Sequence, residues 1–154
     1  MKKHLGKISL FLWLVTIIGA GVYVIRGGAS HQVVGARAAI VLSEQDRGLV
    51  LEEMRMMLTS TQKIIDGLSR ADQRQVAEAA KAAGMGSALD LDPRFLAKLP
   101  LEFKTLGFSM HSDMDALSQA ALQGASVQQL TAMLGATLNK CTGCHAAWEL
   151  RGKE

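Results

Sequence analysis

The apolar positions of this chain fall into two patterns. An unbroken apolar run extends from Ile8 to Ile25. At 1.5 Å per residue this run reaches about 27 Å, close to the hydrocarbon thickness of a bilayer. From Ser43 onward, apolar residues recur every three or four positions, which is the period of amphipathic helices. The sequence therefore predicts a membrane-spanning or signal segment followed by a small helical domain.

The flanks of the apolar run favour a retained anchor over a removed signal peptide. Three lysines precede the run and Arg26 closes it, followed by Gly-Gly-Ala-Ser-His. A signal-peptide core is shorter, about 7–15 residues, and ends in a small-x-small cleavage site, for which the residues after Ile25 are a poor match. Because cations mark the cytoplasmic side, we expect a single-pass inner-membrane protein with the rest of the chain in the periplasm.

Helix start and stop signals divide the remainder of the chain into four helices. Ser43 is a candidate N-cap, and Ser126 with Gln129 forms a capping-box pattern. The helices are predicted from Ser43 to about Leu68, from Asp72 to Ala83, from Pro100 to before Gly124, and from Ser126 to about Leu150. Four such helices favour an all-α antiparallel four-helix bundle. We expect an anchor at 1–27, a linker at 28–42 and the bundle at 43–154.

The charge balance changes the picture once the anchor is set aside. The whole chain has 17 basic and 14 acidic residues, but five of the basic residues and none of the acidic ones precede Ser43. The domain from Ser43 onward therefore carries a net charge of −2. It has no basic patch interleaved with aromatic residues, so we expect no nucleic-acid partner.

Two cysteines three positions apart are followed at once by a histidine, in Cys141-Thr142-Gly143-Cys144-His145. This C-x-x-C-H arrangement is the attachment signature of a c-type haem. On one helical turn, Cys141 and Cys144 can each add a thiol to a vinyl group of the same porphyrin, and His145 can ligate the iron. We therefore expect one covalently attached haem c per chain, with His145 as an iron ligand.

Paired cysteines also occur in redox and zinc sites, but the rest of the chain fits neither. A redox C-x-x-C pair expects a βαβ pattern around it, whereas this segment is predicted to be helical. A zinc site needs four ligands, and the chain has no further cysteines and only three further histidines, at His4, His31 and His111. An oxidising compartment such as the periplasm also suits covalent haem attachment better than two free thiols.

The position of this motif near the end of the last predicted helix resembles the class II c-type cytochromes, which comprise the cytochrome c-prime proteins and their methionine-ligated low-spin relatives. The resemblance extends from about Ser43 to Trp148. It includes Trp148 after the motif, the segment 99–104 leading to Gly107 and His111, and a methionine-bearing first helix. The chain departs from the family where many members have an arginine four residues after the haem histidine, because it has Glu149 there. The resemblance implies a four-helix bundle and is compatible with a homodimer through the first two helices.

The second axial ligand of the iron separates the possible functions. Met54 and Met57 share the apolar stripe of the first helix, whereas Met56 falls on the polar side. The resemblance also implies a ligand methionine in the first half of this helix. We therefore expect Met54 to bind the haem as an iron ligand, with Met57 next. His111 is the competing imidazole, or else a histidine that hydrogen-bonds to a propionate, to Asp115 or to a backbone carbonyl.

Two functions remain open at this point. With His145 and a methionine on the iron, the chain carries single electrons between redox proteins that the sequence does not name, held beside them by its membrane helix. With five-coordinate iron, it resembles the cytochrome c-prime proteins and binds nitric oxide or carbon monoxide. A structural or assembly subunit is a third, weaker hypothesis. No nucleophile–base constellation occurs in the sequence, so we do not expect an enzyme.

Overall fold

The structure, a computed structural model, describes residues 2–26, 30–34, 37–89 and 91–153, and for residues 2–5, 26, 30–34 and 89 it describes the backbone alone. The chain is mostly helical. Its elements in order are α1 (Lys2–Arg26), β1 (Ser30–Val34), β2 (Arg37–Leu42), α2 (Glu44–Ser69), α3 (Gln73–Ala82), α4 (Met85–Leu89), α5 (Pro93–Leu96), α6 (Leu101–Leu122), α7 (Val127–Ala147) and β3 (Trp148–Gly152). The expected boundary between anchor and linker, at residues 27 and 28, lies outside the described residues, as do the side chains of His4 and His31.

The N-terminal helix α1 is long and apolar enough to cross a membrane over Gly6–Ile25, and none of this window is buried against the rest of the chain. A signal sequence near the N-terminus meets the same criteria, so α1 is one or the other. Near its end, the backbone carbonyl of Val24 accepts a hydrogen bond from Nζ of Lys104 on α6 (3.2 Å). A cation at a helix C-terminus is favoured by the helix dipole.

Side-chain caps start the helices where the sequence predicts them. The hydroxyl of Ser43 accepts a hydrogen bond from the backbone N–H of Asp46 (3.1 Å). Ser126 and Gln129 form the complete capping box at the start of α7. These bonds satisfy backbone donors that have no partner inside the helix. The predicted helix starts are therefore confirmed to within a residue.

The main core lies among α2, α3, α6 and α7. Helix α3 packs against both α2 and α6, and α7 packs against α6, whereas α2 and α7 pack sparsely against each other. The alanine-rich α3 comes so close to α2 that a Cβ on Gly67 would lie 2.9 Å from a methyl group of Val76. The core is formed by Met57, Ile64, Val76, Ala80, Met114, Leu117, Leu130 and their neighbours.

The all-α expectation is wrong at the expected linker and at the end of the fourth helix. Strand β2 pairs with β1 antiparallel and with β3 parallel, in the order β1-β2-β3, and Ile40 lies opposite Leu150. The fourth helix therefore ends at Ala147 instead of Leu150. The reason is burial: Ala39 and Ile40 are completely buried and Leu42 is nearly so, which a solvated linker would not achieve.

A second apolar cluster lies beneath this sheet. Its buried members are Ile40, Leu42, Val50, Phe95 and Leu99, and Met54, Phe103, Trp148 and Leu150 pack against it. The cluster joins the start of α2 and the start of α6 to strands β2 and β3. It thereby fixes the residues just after the cysteine motif against the first turns of α2.

The buried face of α2, the first helix of the predicted bundle, is rotated relative to the apolar stripe that the sequence predicts. Leu58 and Ile65, which the periodicity places beside the stripe, are 69% and 52% exposed. Ser60, predicted to lie on the solvated side, is buried, and Met56 packs against the main core. The alanine-rich α3 packs along α2, and the Met56 side of α2 therefore faces the main core.

Asp46 and Lys98 connect the start of α2 to the segment before α6. Nζ of Lys98 lies 2.7 and 3.0 Å from the two carboxylate oxygens of Asp46, whose side chain is only 12% exposed. The hydrogen bonds from Lys98 and Ser43 hold the pKa of Asp46 below its ordinary value of 3.8. The carboxylate therefore stabilises the fold at neutral pH, and this contribution is lost as the pH falls below 3.8 through the folded-state pKa.

We expect Asp46→Asn to lower the free energy of unfolding at pH 7 by about 1.5–3 kcal/mol, the worth of a hydrogen bond to a charged group. Urea unfolding at pH 7 and at successively lower pH measures both the loss and its decrease as the Asp46 carboxylate of the unchanged protein becomes protonated. Asp66→Asn is the matched control, because Asp66 pairs with Arg70 at the surface and should change stability by less than about 0.5 kcal/mol. Equal effects of the two substitutions would contradict the stabilising role of the Asp46–Lys98 pair.

Candidate functional site

A groove of about 400 Å³ opens at the sheet end of the helices. This volume lies within the range of ligand-binding pockets. Met54 lines it from α2, and Cys144 and His145 line it from α7. Three of the four residues expected to bind a haem thus face one space, although Met54 lies about 90 positions before the other two in the sequence. We call this space the Met54–His145 groove.

Aromatic and aliphatic side chains form the apolar part of this groove. Phe103 from α6 and Trp148 from β3 line it together with Leu51. The two aromatic rings meet edge to face, with centroids 6.1 Å apart and planes at 77°, a favourable geometry for aromatic pairs. Trp148 is positioned by the pairing of β3 with β2, in which it lies opposite Ala38. The sheet therefore provides one wall of the groove.

Cys141 takes a different direction from Cys144. Its Sγ lies 3.6 Å from Sδ of Met110 on α6, and its side chain is half-buried. Cys144 is buried, His145 is exposed, and both cysteines are free thiols. The helical turn thus presents one thiol toward α6 and the other toward the groove, with the imidazole beside them.

The environment of the two thiols disfavours thiol–disulfide chemistry. Burial raises the pKa of both Cys141 and Cys144, and the proximity of Cys141 raises that of Cys144 further. Reactive cysteines have the opposite property, since a lowered pKa supplies the nucleophilic thiolate. Among the residues that the structure describes, no three His, Cys, Asp or Glu side chains are grouped closely enough to hold a metal ion.

The structure places the two competing ligands away from the Met54–His145 groove. Met57 belongs to the main core between the helices, where it is 7% exposed. His111 is buried, with Nδ1 2.9 Å from the backbone carbonyl of Ala83 and Nε2 3.6 Å from Oε1 of Glu53. Of the roles expected for His111, the hydrogen bond to a backbone carbonyl is the one observed.

Three arginines at the edge of the groove are functional candidates that the sequence patterns did not reveal. Arg37 and Arg151 both pair with Glu149, at 3.0 and 2.6 Å. Arg47 pairs with Glu44 at 3.3 Å, but its Nε is buried and lacks a hydrogen-bond partner among the described side chains. A buried donor without a partner costs about 1–3 kcal/mol. The site therefore has an unused donor where an anionic group would be stabilised.

Comparisons with known proteins add no family to this description. No family model, no curated protein and no solved structure matches the chain. Function is therefore inferred from the residues of the groove.

Proposed function

We propose that this chain is a membrane-anchored c-type cytochrome that carries single electrons through one covalently attached haem. In this proposal Cys141 and Cys144 would attach the haem, and His145 and Met54 would hold its iron. The supporting observation is that Met54 lines the same groove as Cys144 and His145, although Met57 lies on the same stripe of α2 and is buried elsewhere. In this proposal α2, α3, α6 and α7 are the antiparallel four-helix bundle that holds the haem.

The residues of the groove fit a haem in three respects. The two thiols are free and lie on one turn of α7, with Cys144 lining the groove and Cys141 turned toward α6. Leu51, Phe103 and Trp148 offer apolar surface for a flat, largely apolar ring. The orphaned Nε of Arg47 offers a hydrogen bond and a positive charge to a propionate carboxylate, the charge-assisted geometry that arginine favours. A bound haem c supplies one-electron redox chemistry at its iron.

The Met54 thioether favours electron transfer over gas binding. A thioether ligand raises the reduction potential and leaves no open coordination position for a gas. The five-coordinate alternative, a cytochrome c-prime-like protein that binds nitric oxide or carbon monoxide, requires that Met54 stay away from the iron. In both cases the chain is proposed to act in the periplasm as a binding or carrier protein rather than an enzyme.

The anchor and the surface suit a carrier that works beside membrane partners. In this proposal α1 is retained in the inner membrane and raises the effective concentration of the haem domain near its redox partners. The exposed Leu58 and Ile65 on α2 support a homodimer through α2 and α3.

The first experiment is the absorption spectrum of the purified chain, oxidised and reduced, with and without carbon monoxide. The expected result is a sharp reduced α-band, a weak far-red band in the oxidised state from the methionine–iron bond, and no response to carbon monoxide. A high-spin spectrum that shifts with carbon monoxide would replace electron transfer by gas binding. Absence of a haem spectrum would overturn both.

We expect Arg47→Gln to lower the reduction potential by roughly 20–60 mV. A cation near the haem propionates repels the oxidised haem more strongly than the reduced haem, because the oxidised haem has one more positive charge. Removing the cation therefore stabilises the oxidised state relative to the reduced one. About 1 kcal/mol corresponds to some 40 mV for one electron. A redox titration measures the shift. Arg55→Gln provides the control, because Arg55 lies on the exposed side of the same helix. Equal potentials for the two variants would remove Arg47 from the site.

A further inference from the structure

A second, smaller groove lies between the start of α2, the α5 turn and the first half of α6. Leu49, Phe95, Leu96 and Phe108 make it strongly apolar, and it encloses about 80 Å³. Its polar lining includes the side chains of Glu53 and His111. We call this space the Glu53–His111 groove. Neither of these titratable residues has a part in the proposed haem site.

Hydrogen bonding fixes what the polar end of this groove can recognise. The Ala83 carbonyl can only accept, so Nδ1 of His111 carries a proton, and Nε2 faces the carboxylate of Glu53. The carboxylate of Glu53 is a second acceptor, 3.6 Å away, and it takes a hydrogen bond from the Ser87 hydroxyl at 3.3 Å. A ligand hydroxyl can donate its one hydrogen to this carboxylate. The complementary ligand is therefore apolar with a hydroxyl donor.

The surroundings of the groove select a neutral ligand that comes from the membrane. Lys104 lines the groove and disfavours a cation by its own charge. The same ammonium group donates to the Val24 carbonyl near the end of α1, so the groove lies beside the segment that enters the bilayer. A neutral hydroxylated ring dissolved in the membrane meets each of these conditions.

We propose that the Glu53–His111 groove binds the hydroxylated ring of a membrane quinol. An apolar cavity of about 150 Å³ holds a benzene ring. This open groove of about 80 Å³ takes the hydroxyl-bearing edge of such a ring, and the opposite edge, with the hydrocarbon tail of the quinol, stays at the membrane. Phe103 lines both grooves. If the proposed function holds, this one side chain lies between the bound quinol ring and the haem groove.

Binding of trimethylhydroquinone to the full detergent-solubilised chain tests the proposal by isothermal titration calorimetry. Ascorbate keeps the probe and any haem reduced. The dimethyl ether of the same compound is the matched ligand, because it keeps the ring and lacks the hydroxyl donors. We expect saturable quinol binding and at least tenfold weaker binding of the ether. Equal binding of the two compounds would overturn the proposal, because the groove would then recognise apolar surface alone.

Two variants locate the binding. Leu96→Trp fills the groove and should abolish binding, whereas Leu122→Trp alters an exposed leucine at the far end of α6 and should leave it unchanged. Glu53→Gln removes one acceptor and should weaken the quinol at least fivefold while leaving the ether unaffected, which keeps the test decisive if the tryptophan variant does not fold. Unchanged quinol binding in a folded Leu96→Trp or Glu53→Gln variant would overturn the site. The haem spectrum of the same sample reports separately on the proposed function, since quinol binding needs no haem.

Discussion

Met54→Ala is expected to convert a low-spin haem into a high-spin one while the haem stays covalently attached. The substitution removes the thioether that lines the same groove as His145 and leaves both cysteines in place. We expect the reduction potential to fall by roughly 100 mV or more, because loss of a methionine ligand removes its preference for the reduced iron. The variant should also gain a response to carbon monoxide. Visible spectra with and without carbon monoxide, together with a redox titration, measure these changes.

Met57→Ala is the matched control for this experiment. It lies one turn further along α2 and is buried in the main core, so its truncation should cost about 2–5 kcal/mol in unfolding free energy. Its spectrum should nevertheless remain low-spin. A low-spin spectrum that survives in Met54→Ala and disappears in Met57→Ala would reverse the assignment, and one that survives in both would favour His111.

His145→Ala is expected to reduce the haem content of the purified chain by more than roughly tenfold. Loss of a residue that only supports a metal ligand already costs about 10–100-fold in affinity, and this substitution removes the ligand itself. Haem absorbance per chain after denaturation measures the covalently attached fraction. His111→Gln should keep a normal haem content, since His111 bonds to the Ala83 carbonyl. A full complement of haem in His145→Ala would contradict the interpretation of the C-x-x-C-H motif.

Local chemistry explains which parts of the fold are predictable. The helix starts at Ser43 and Ser126 follow from side chains that cap backbone donors within three residues, so a short stretch of sequence contains the whole signal. The sheet is different, because β2 and β3 pair across about 110 residues. The apolar run 38–42 and the alternation in Trp148-Glu149-Leu150-Arg151 are the available signals, and each is typical of a strand.

The candidate site divides in the same way. The cysteine–histidine motif is local and visible directly in the sequence, and the helical period puts Met54 and Met57 on one stripe without separating them. Only the packing of the sheet against the start of α2 places Met54 at the groove and Met57 in the main core. No short stretch of sequence marks the three arginines as part of the site. Arg37 falls in the expected linker, and only the folded structure brings Arg47 and Arg151 next to it at the edge of the groove.

The parallel pairing of β2 with β3 also orders the events of biosynthesis. Ribosomes add about 5–20 residues per second. Synthesis of the roughly 110 residues between Ala38 and Trp148 therefore takes roughly 6–20 s after β2 has been made. Throughout this interval β2 has no strand on that edge, and the wall contributed by Trp148 does not yet exist. Cys141 and Cys144 precede Trp148 by only seven and four residues, so this wall can form only after the motif itself has been made. The groove is therefore completed last, and until then Cys144 and His145 are without the wall that Trp148 provides.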